Sequence, residues 1–332
     1  MNSGGGSACW RLARRAVCEF CERVLKNPVD HRSPVSRPVS RPVDRRTAFR
    51  NAVACGAALG LSPAVSQHLS TATALAGEPR ARTDAEPFGY CLNTATLRGH
   101  EIPLLEKIEI AARTGFDSLE LWIDELRKHE ESGGSLHDLG ARINDLGLSV
   151  EGGIGFSEWI VEDPARRQRG LDDARSSMEL LSKVGGKRLA APPAGATDVA
   201  DLDLRRIAER YRALLELGEQ HGIGAQVELW GFSQPLSHLS EVAYVAVESG
   251  HPGAAVLADV YHLYKGGSPA EGLRILNGGA MHVLHMNDYP HVPRQEITDA
   301  QRVFPGDGVA PLTSILRTLR EIGFRGVLSL EL

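Results

Sequence analysis

Between residues 88 and 332 the sequence sets out eight short apolar runs, separated by seven longer stretches that each stop at glycine. The runs fall at 88–92, 116–122, 148–151, 187–191 and 224–229, then at the segments that end in Asp259, contain His285 and span 327–332. The stretches between them, near 102–114, 136–146, 164–184, 203–221, 237–249, 269–276 and 310–322, read as helices. Glycine after a helix accepts the left-handed conformation that a tight turn back to a strand requires. Strands alternating with helices bury a parallel sheet under a helical layer, and eight such units close into a (β/α)8 TIM barrel rather than an open sheet. The sequence stops at Leu332, so this reading lacks a helix after the eighth strand.

The residues upstream have a different character. Residues 1–50 hold eleven Lys and Arg against four acids, whereas the remainder carries 26 basic and 38 acidic residues. An acidic body argues against a nucleic-acid surface. Residues 1–44 include the Arg-Pro repeat Arg32-Ser-Pro-Val-Ser-Arg-Pro-Val-Ser-Arg-Pro-Val-Asp44, too poor in apolar side chains for a core, and read as a disordered basic extension. Arg45-Arg46 opens a segment, 45–80, in which residues 51–77 have no charged side chain and Ala74-Leu-Ala76 supplies small residues for cleavage. That layout resembles a twin-arginine export signal, with Phe49 one place later than usual. The expectation is a periplasmic or otherwise exported protein, the alternative a cytoplasmic one. The apolar stretch is too short and weakly hydrophobic for a permanent membrane span. Of five cysteines only Cys91 lies in the body, so the barrel has no internal disulfide, and the single Cys18-Glu-Phe-Cys21 pair reads as incidental.

The strand ends carry the chemistry. Ala254-Ala-Val-Leu-Ala-Asp259 runs from apolar residues into a carboxylate, and the runs through Glu228, His285 and Glu331 repeat the pattern. A lone Asp259 would read as a cap on the next turn. Four successive strands each delivering a metal-competent side chain to the same end read as one site, because alternate residues on a strand face the same way. Three carboxylates at close range repel, and a divalent ion (Mn2+, Mg2+, Co2+ or Zn2+) removes that penalty. Further along the same edge Glu120, Trp122, Trp230 and Glu151 are candidate substrate contacts, the tryptophans as an apolar wall for a sugar ring. Asp288 reads as a partner of His285 or a loop cap, and Gly152-Gly-Ile-Gly155 lacks the spacing of a dinucleotide site.

Residues 88–332 resemble the xylose-isomerase-like barrel family of sugar phosphate isomerases and epimerases. The resemblance rests on Phe116-Asp-Ser-Leu-Glu-Leu-Trp122, Val227-Glu-Leu-Trp230, Asp259-Val-Tyr-His262, His285-Met-Asn-Asp288, Pro305-Gly-Asp-Gly308 and Leu328-Ser-Leu-Glu331. It implies that Glu228, Asp259, His285 and Glu331 hold one divalent metal ion, that Glu228 and Glu331 are the acid/base pair, and that His262 touches a substrate oxygen. The implied function is isomerisation or epimerisation of a sugar, sugar phosphate or cyclitol through an enediolate. A dehydratase or lyase shares every one of these residues. A non-catalytic carbohydrate-binding barrel needs no such ligand set, and a nuclease of the same architecture would need a basic groove. The partner expected is a small carbohydrate; homo-oligomerisation is left open.

Overall fold

The computed structural model describes residues 87–332, so the basic extension and the export-signal segment lie outside the described residues. Eight parallel strands close into a barrel in sequence order. They are β1 (Gly89–Asn93), β2 (Ser118–Trp122), β3 (Ser149–Ile154), β4 (Arg188–Ala191), β5 (Gly224–Glu228), β6 (Ala255–Asp259), β7 (Val283–Met286) and β8 (Val327–Leu330). The helices between them are α1 (Leu104–Thr114), α2 (Ile123–Glu131), α3 (Leu136–Asp145), α4 (Pro164–Lys183), α5 (Leu204–His221), α6 (Leu239–Glu248), α7 (Val260–Gly266) and α8 (Leu312–Glu321). β8 pairs with both β7 and β1, which closes the ring.

Strand alternation divides the interior into two cores. Outward residues such as Val227, Val256, Ala258, Leu284 and Leu328 pack under the helices in one large cluster. Inward residues Cys91, Ile154, Ala190, Leu257, Val283 and Val327 fill the lumen. One position further along β6 the inward residue is Asp259, and along β7 it is His285, so the apolar floor gives way to charge at the carboxyl-terminal mouth. That change along a single face is what builds a site on a packed barrel rather than a pore. Tyr211 of α5 fastens β5 to β6 below: its hydroxyl lies 2.8 Å from Ala225 O and 2.9 Å from Ala255 O and accepts from Val227 N and Ala255 N.

Gly115 (φ 81°) and Gly222 (φ 67°) end their helices in the left-handed region, as the turns back to β2 and β5 demand. Three elements differ from the sequence reading. The helix expected near 269–276 is a pair of 3-10 turns, Ala270–Ile275 and Gly278–Ala280. α2 follows Trp122 directly, with no glycine to announce it. β3 runs on to Ile154 instead of ending at 151, because its register against β2 slips by one residue at Glu151, a β-bulge.

Candidate active site

Glu228 closes β5, Asp259 closes β6, His285 lies in β7 and Glu331 immediately follows β8. All four are buried, with Asp259 and His285 wholly so. The His285 ring is their hub. Its Nδ1 is 3.2 Å from Glu331 Oε2, 3.7 Å from Glu228 Oε1 and 3.8 Å from Asp259 Oδ2. Donor atoms of Asp259, His285 and Glu331 all lie within 4.8 Å of one another.

Neighbouring side chains fix this arrangement. On the far side of the ring, His285 Nε2 lies 3.0 Å from Glu120 Oε2, with both groups buried. That contact turns Nδ1 toward the three carboxylates. Asn287 Nδ2 donates to Asp259 Oδ2 at 2.8 Å, and its own Oδ1 accepts from Tyr261 N. Asp259 Oδ1 accepts from His262 N at 2.7 Å and so caps α7. One oxygen of Asp259 therefore caps α7 while the other faces Asn287 and His285. Glu331 is held at both oxygens, by Asn93 Nδ2 at 3.1 Å and Arg302 Nη1 at 2.9 Å. Its backbone is clasped as well: Thr96 Oγ1 donates to Leu330 O at 2.9 Å and accepts from Leu332 N at 3.2 Å.

Glu228 is the exception. Its Oε2 has no hydrogen-bond partner, and neither has His285 Nδ1. Burial, first, pushes the Glu228 carboxyl up to about 8; His285 opposes this, and repulsion from Glu331 and Asp259 adds to it. Glu331 moves the other way. Burial would raise it, but His285 and Arg302 overcome that and hold it well below the ordinary carboxylate range. For His285, burial favours the neutral ring and is outweighed by Glu331 and Glu120, so the ring holds its proton well above the usual range. Four carboxylates thus surround one imidazole and one guanidinium. The unpaired oxygen and nitrogen, the oxygen-rich donor set and the excess negative charge fit a divalent ion.

The remaining expected residues divide. His262 is buried with Nδ1 unpartnered, and burial lowers its proton affinity. Trp122 and Trp230 flank Phe156 at the mouth, with ring centroids 5.3 and 6.0 Å from it. Glu120, expected to contact substrate, is instead 1 % exposed behind His285, because residue 120 points into the lumen one strand pair away. Glu151 is at the wrong end of the barrel for a substrate contact. The bulge aims it at the amino-terminal mouth, where it bonds Lys187 at 2.5 Å and Arg188 at 3.1 Å. Together those two cations keep its carboxyl below the ordinary range against the opposing effect of burial. Asp288 is a loop cap: it accepts from Tyr289 N, Gly306 N, Gly308 N and Ala310 N. Its backbone also pairs with Val303, which steadies the neighbouring Arg302.

Sequence reasoning missed Asn93, Asn287 and Arg302. Asn93 and Asn287 each lie two residues beyond an inward position, Cys91 and His285, so period-two counting could have found them. Arg302 comes from the loop after β7, where no periodicity applies.

The family model for xylose isomerase-like TIM barrels matches residues 108–332. An inosose isomerase of Bacillus velezensis is 27 % identical over 255 residues, covering 73 % of this chain and 87 % of its own length. A 3-dehydroshikimate dehydratase of Pseudomonas putida is 23 % identical over 231 residues, covering 69 % of this chain but 36 % of that larger protein. Among solved structures, a zinc-bound IolI protein superposes with a TM-score of 0.68 at 22 % identity, over 74 % of this chain and 89 % of that one.

Proposed function

The chain belongs to the xylose isomerase-like TIM barrel family, and from that premise we propose that it is a divalent-metal-dependent isomerase or epimerase of a sugar or cyclitol, with Glu228 and Glu331 as its acid/base pair. The observation that carries the reading is the convergence of Glu228, Asp259 and Glu331, from three strands, on the inward-facing His285 Nδ1 within 3.8 Å, with Glu228 Oε2 left unpartnered. A divalent ion held by Glu228, Asp259, His285 and Glu331 supplies Lewis-acid polarisation of a carbonyl and offsets the charge that develops on its oxygen.

The chain's own residues do the rest. One glutamate takes the proton from the carbon next to the carbonyl, leaving an enediolate. The other returns a proton to the neighbouring carbon, giving an isomer, or to the opposite face, giving an epimer. Glu228 Oε2 has no hydrogen-bond partner, whereas Glu331 is tethered at both oxygens by Asn93 and Arg302. That asymmetry favours Glu228 as the group that carries a proton between positions and Glu331 as the fixed partner. His262 offers its buried, neutral Nδ1 to a substrate oxygen.

A dehydratase is the second reading, favoured by the similarity to the named dehydratase. The same enediolate expels a β-hydroxyl as water, and no residue need change. Elemental analysis together with a screen for exchange of substrate C–H with solvent deuterium tests the proposal. The expected result is one divalent ion per chain and exchange into a ketose or inosose. Exchange accompanied by an unsaturated product selects the dehydratase, and a metal-free, exchange-inactive protein overturns both.

A further inference from the structure

Two of the large apolar side chains left exposed by the barrel stand side by side at the reaction mouth. Phe156 is 43 % and Phe232 is 44 % exposed, and Trp230 lies between them, 6.0 Å from one ring and 5.2 Å from the other. The array continues at both ends. Trp122 is 5.3 Å beyond Phe156, and His262 is 5.6 Å beyond Phe232. Each end is also joined to a metal-competent carboxylate, through Trp122–Asn93–Glu331 and through the His262 backbone to Asp259.

The array is built rather than incidental. Gly231, between Trp230 and Phe232, passes so close to α7 that a Cβ there would come within 2.3 Å of His262 O and 2.5 Å of Gly266 N. Only glycine permits that approach. Trp230 N donates to Leu236 O at 3.0 Å and Ser233 N to Trp230 O at 2.9 Å, closing the loop that presents both rings. Ser233 Oγ, in the loop next to Phe232, and His262 Nδ1 are buried polar atoms without a protein partner.

A monosaccharide ring whose carbonyl sits against Glu228 and Glu331 covers about one step of this array. Trp122 or Trp230 suffices for it. The exposed faces of Phe156 and Phe232 extend beyond it, toward solvent. We propose that these two phenylalanines form an outer subsite for a second sugar ring, so that the preferred substrate class is a glycoside rather than a free monosaccharide. A pyranose presents one face of C–H bonds that stacks on an aromatic ring while its hydroxyls point outward to water, which the exposed faces of Phe156 and Phe232 allow. The inference rests on the carbohydrate reading above but is tested separately from it.

The test is a binding measurement on the metal-loaded full chain. Tryptophan fluorescence, reporting from Trp122 and Trp230, is titrated with glucose and with cellobiose, alongside Phe156→Ala and Phe232→Ala. The two-ring sugar should bind about tenfold tighter than the one-ring sugar. Each alanine should remove about 2- to 10-fold of that preference, the range for one aromatic contact, while affinity for glucose stays within about twofold. Equal affinities in the wild type, no saturable binding of cellobiose, or variants that keep the preference would overturn it. So would variants that leave binding alone but change the oligomeric state by light scattering, which would make this face a contact between copies. Deuterium exchange into single-ring sugars depends on none of this. A protein that exchanges them without a two-ring preference keeps the isomerase reading and loses the subsite, and the reverse result does the opposite.

Discussion

Removing the Glu120 carboxylate should weaken metal binding without touching a metal ligand. The contact is a 3.0 Å bond between Glu120 Oε2 and His285 Nε2, with both side chains at 1 % exposure or less. It fixes which nitrogen faces the carboxylates and adds electron density to the ring. A hydrogen bond to a charged group contributes about 1.5–3 kcal/mol, and about 1.4 kcal/mol is a tenfold change in affinity. The expected loss is therefore about 10- to 100-fold in metal affinity, the range seen when partners behind a ligand are removed. Glu120→Gln keeps an acceptor and belongs near the lower end. Glu120→Ala frees the ring to rotate and belongs near the upper end. Competition with a chelating dye gives the dissociation constants directly, and thermal melts of the metal-free proteins control for folding. With saturating metal, most of the activity should return. If Glu120→Ala binds the ion as tightly as wild type and stays folded, the orientation of His285 is set elsewhere and the reasoning fails.

Glu228→Gln and Glu331→Gln should each lower turnover by about 10²–10⁴-fold, yet each variant at saturating metal should still exchange one substrate proton with solvent; full activity in either removes that residue from the proton path. Metal uptake should release protons, because Glu228, raised to about 8, and His285, also raised, both hold theirs at neutral pH in the metal-free protein. Apparent affinity should then climb with pH up to about 8 by roughly tenfold per unit for each proton displaced, and calorimetry in buffers of different ionisation enthalpy counts them; a pH-independent affinity would contradict the assignment. Replacing Arg45 and Arg46 together by lysine should hold the protein in the cytoplasm if the upstream segment is a twin-arginine signal, and unchanged cell fractionation would leave residues 45–80 as a mere extension.

The barrel was legible because its punctuation is local. A glycine after each helix and an apolar run before each turn are read from neighbouring residues alone, as at Gly222 and the run that follows it. The strand-end positions of Glu228, Asp259, His285 and Glu331 were legible for the same reason. Glu151 was not, because a bulge is a relation between two strands: nothing in Ser149-Val-Glu-Gly-Gly-Ile154 announces that Leu119 pairs with Val150 but Glu120 with Gly152. Glu120 looked like a substrate contact since its strand and face were right. Only the diameter of the barrel, which sets who meets whom across the lumen, turns it toward His285. Arg302 and the Asp288-capped loop that holds it come from tertiary contacts over more than a dozen residues, beyond any periodic rule.

Around the rim, the strand-end acids and the aromatic side chains come from overlapping arcs that meet at β5. Glu228, Asp259, His285 and Glu331 come from β5 to β8, whereas Trp122 and Phe156 come from the ends of β2 and β3, and Phe232 from the loop after β5. Substitutions at Phe156 or Phe232 remove no hydrogen bond from the strand-end groups, whereas Trp122 reaches Glu331 through Asn93. A lineage built on this plan can exchange one sugar for another by drift in a few loops, keeping its reaction intact. Changing the fate of the enediolate, by contrast, asks only for small adjustments among the strand-end acids. Phenylalanines that can change beside a well-supported acid cluster give a physical reason why isomerases and dehydratases appear together among the proteins this chain is similar to.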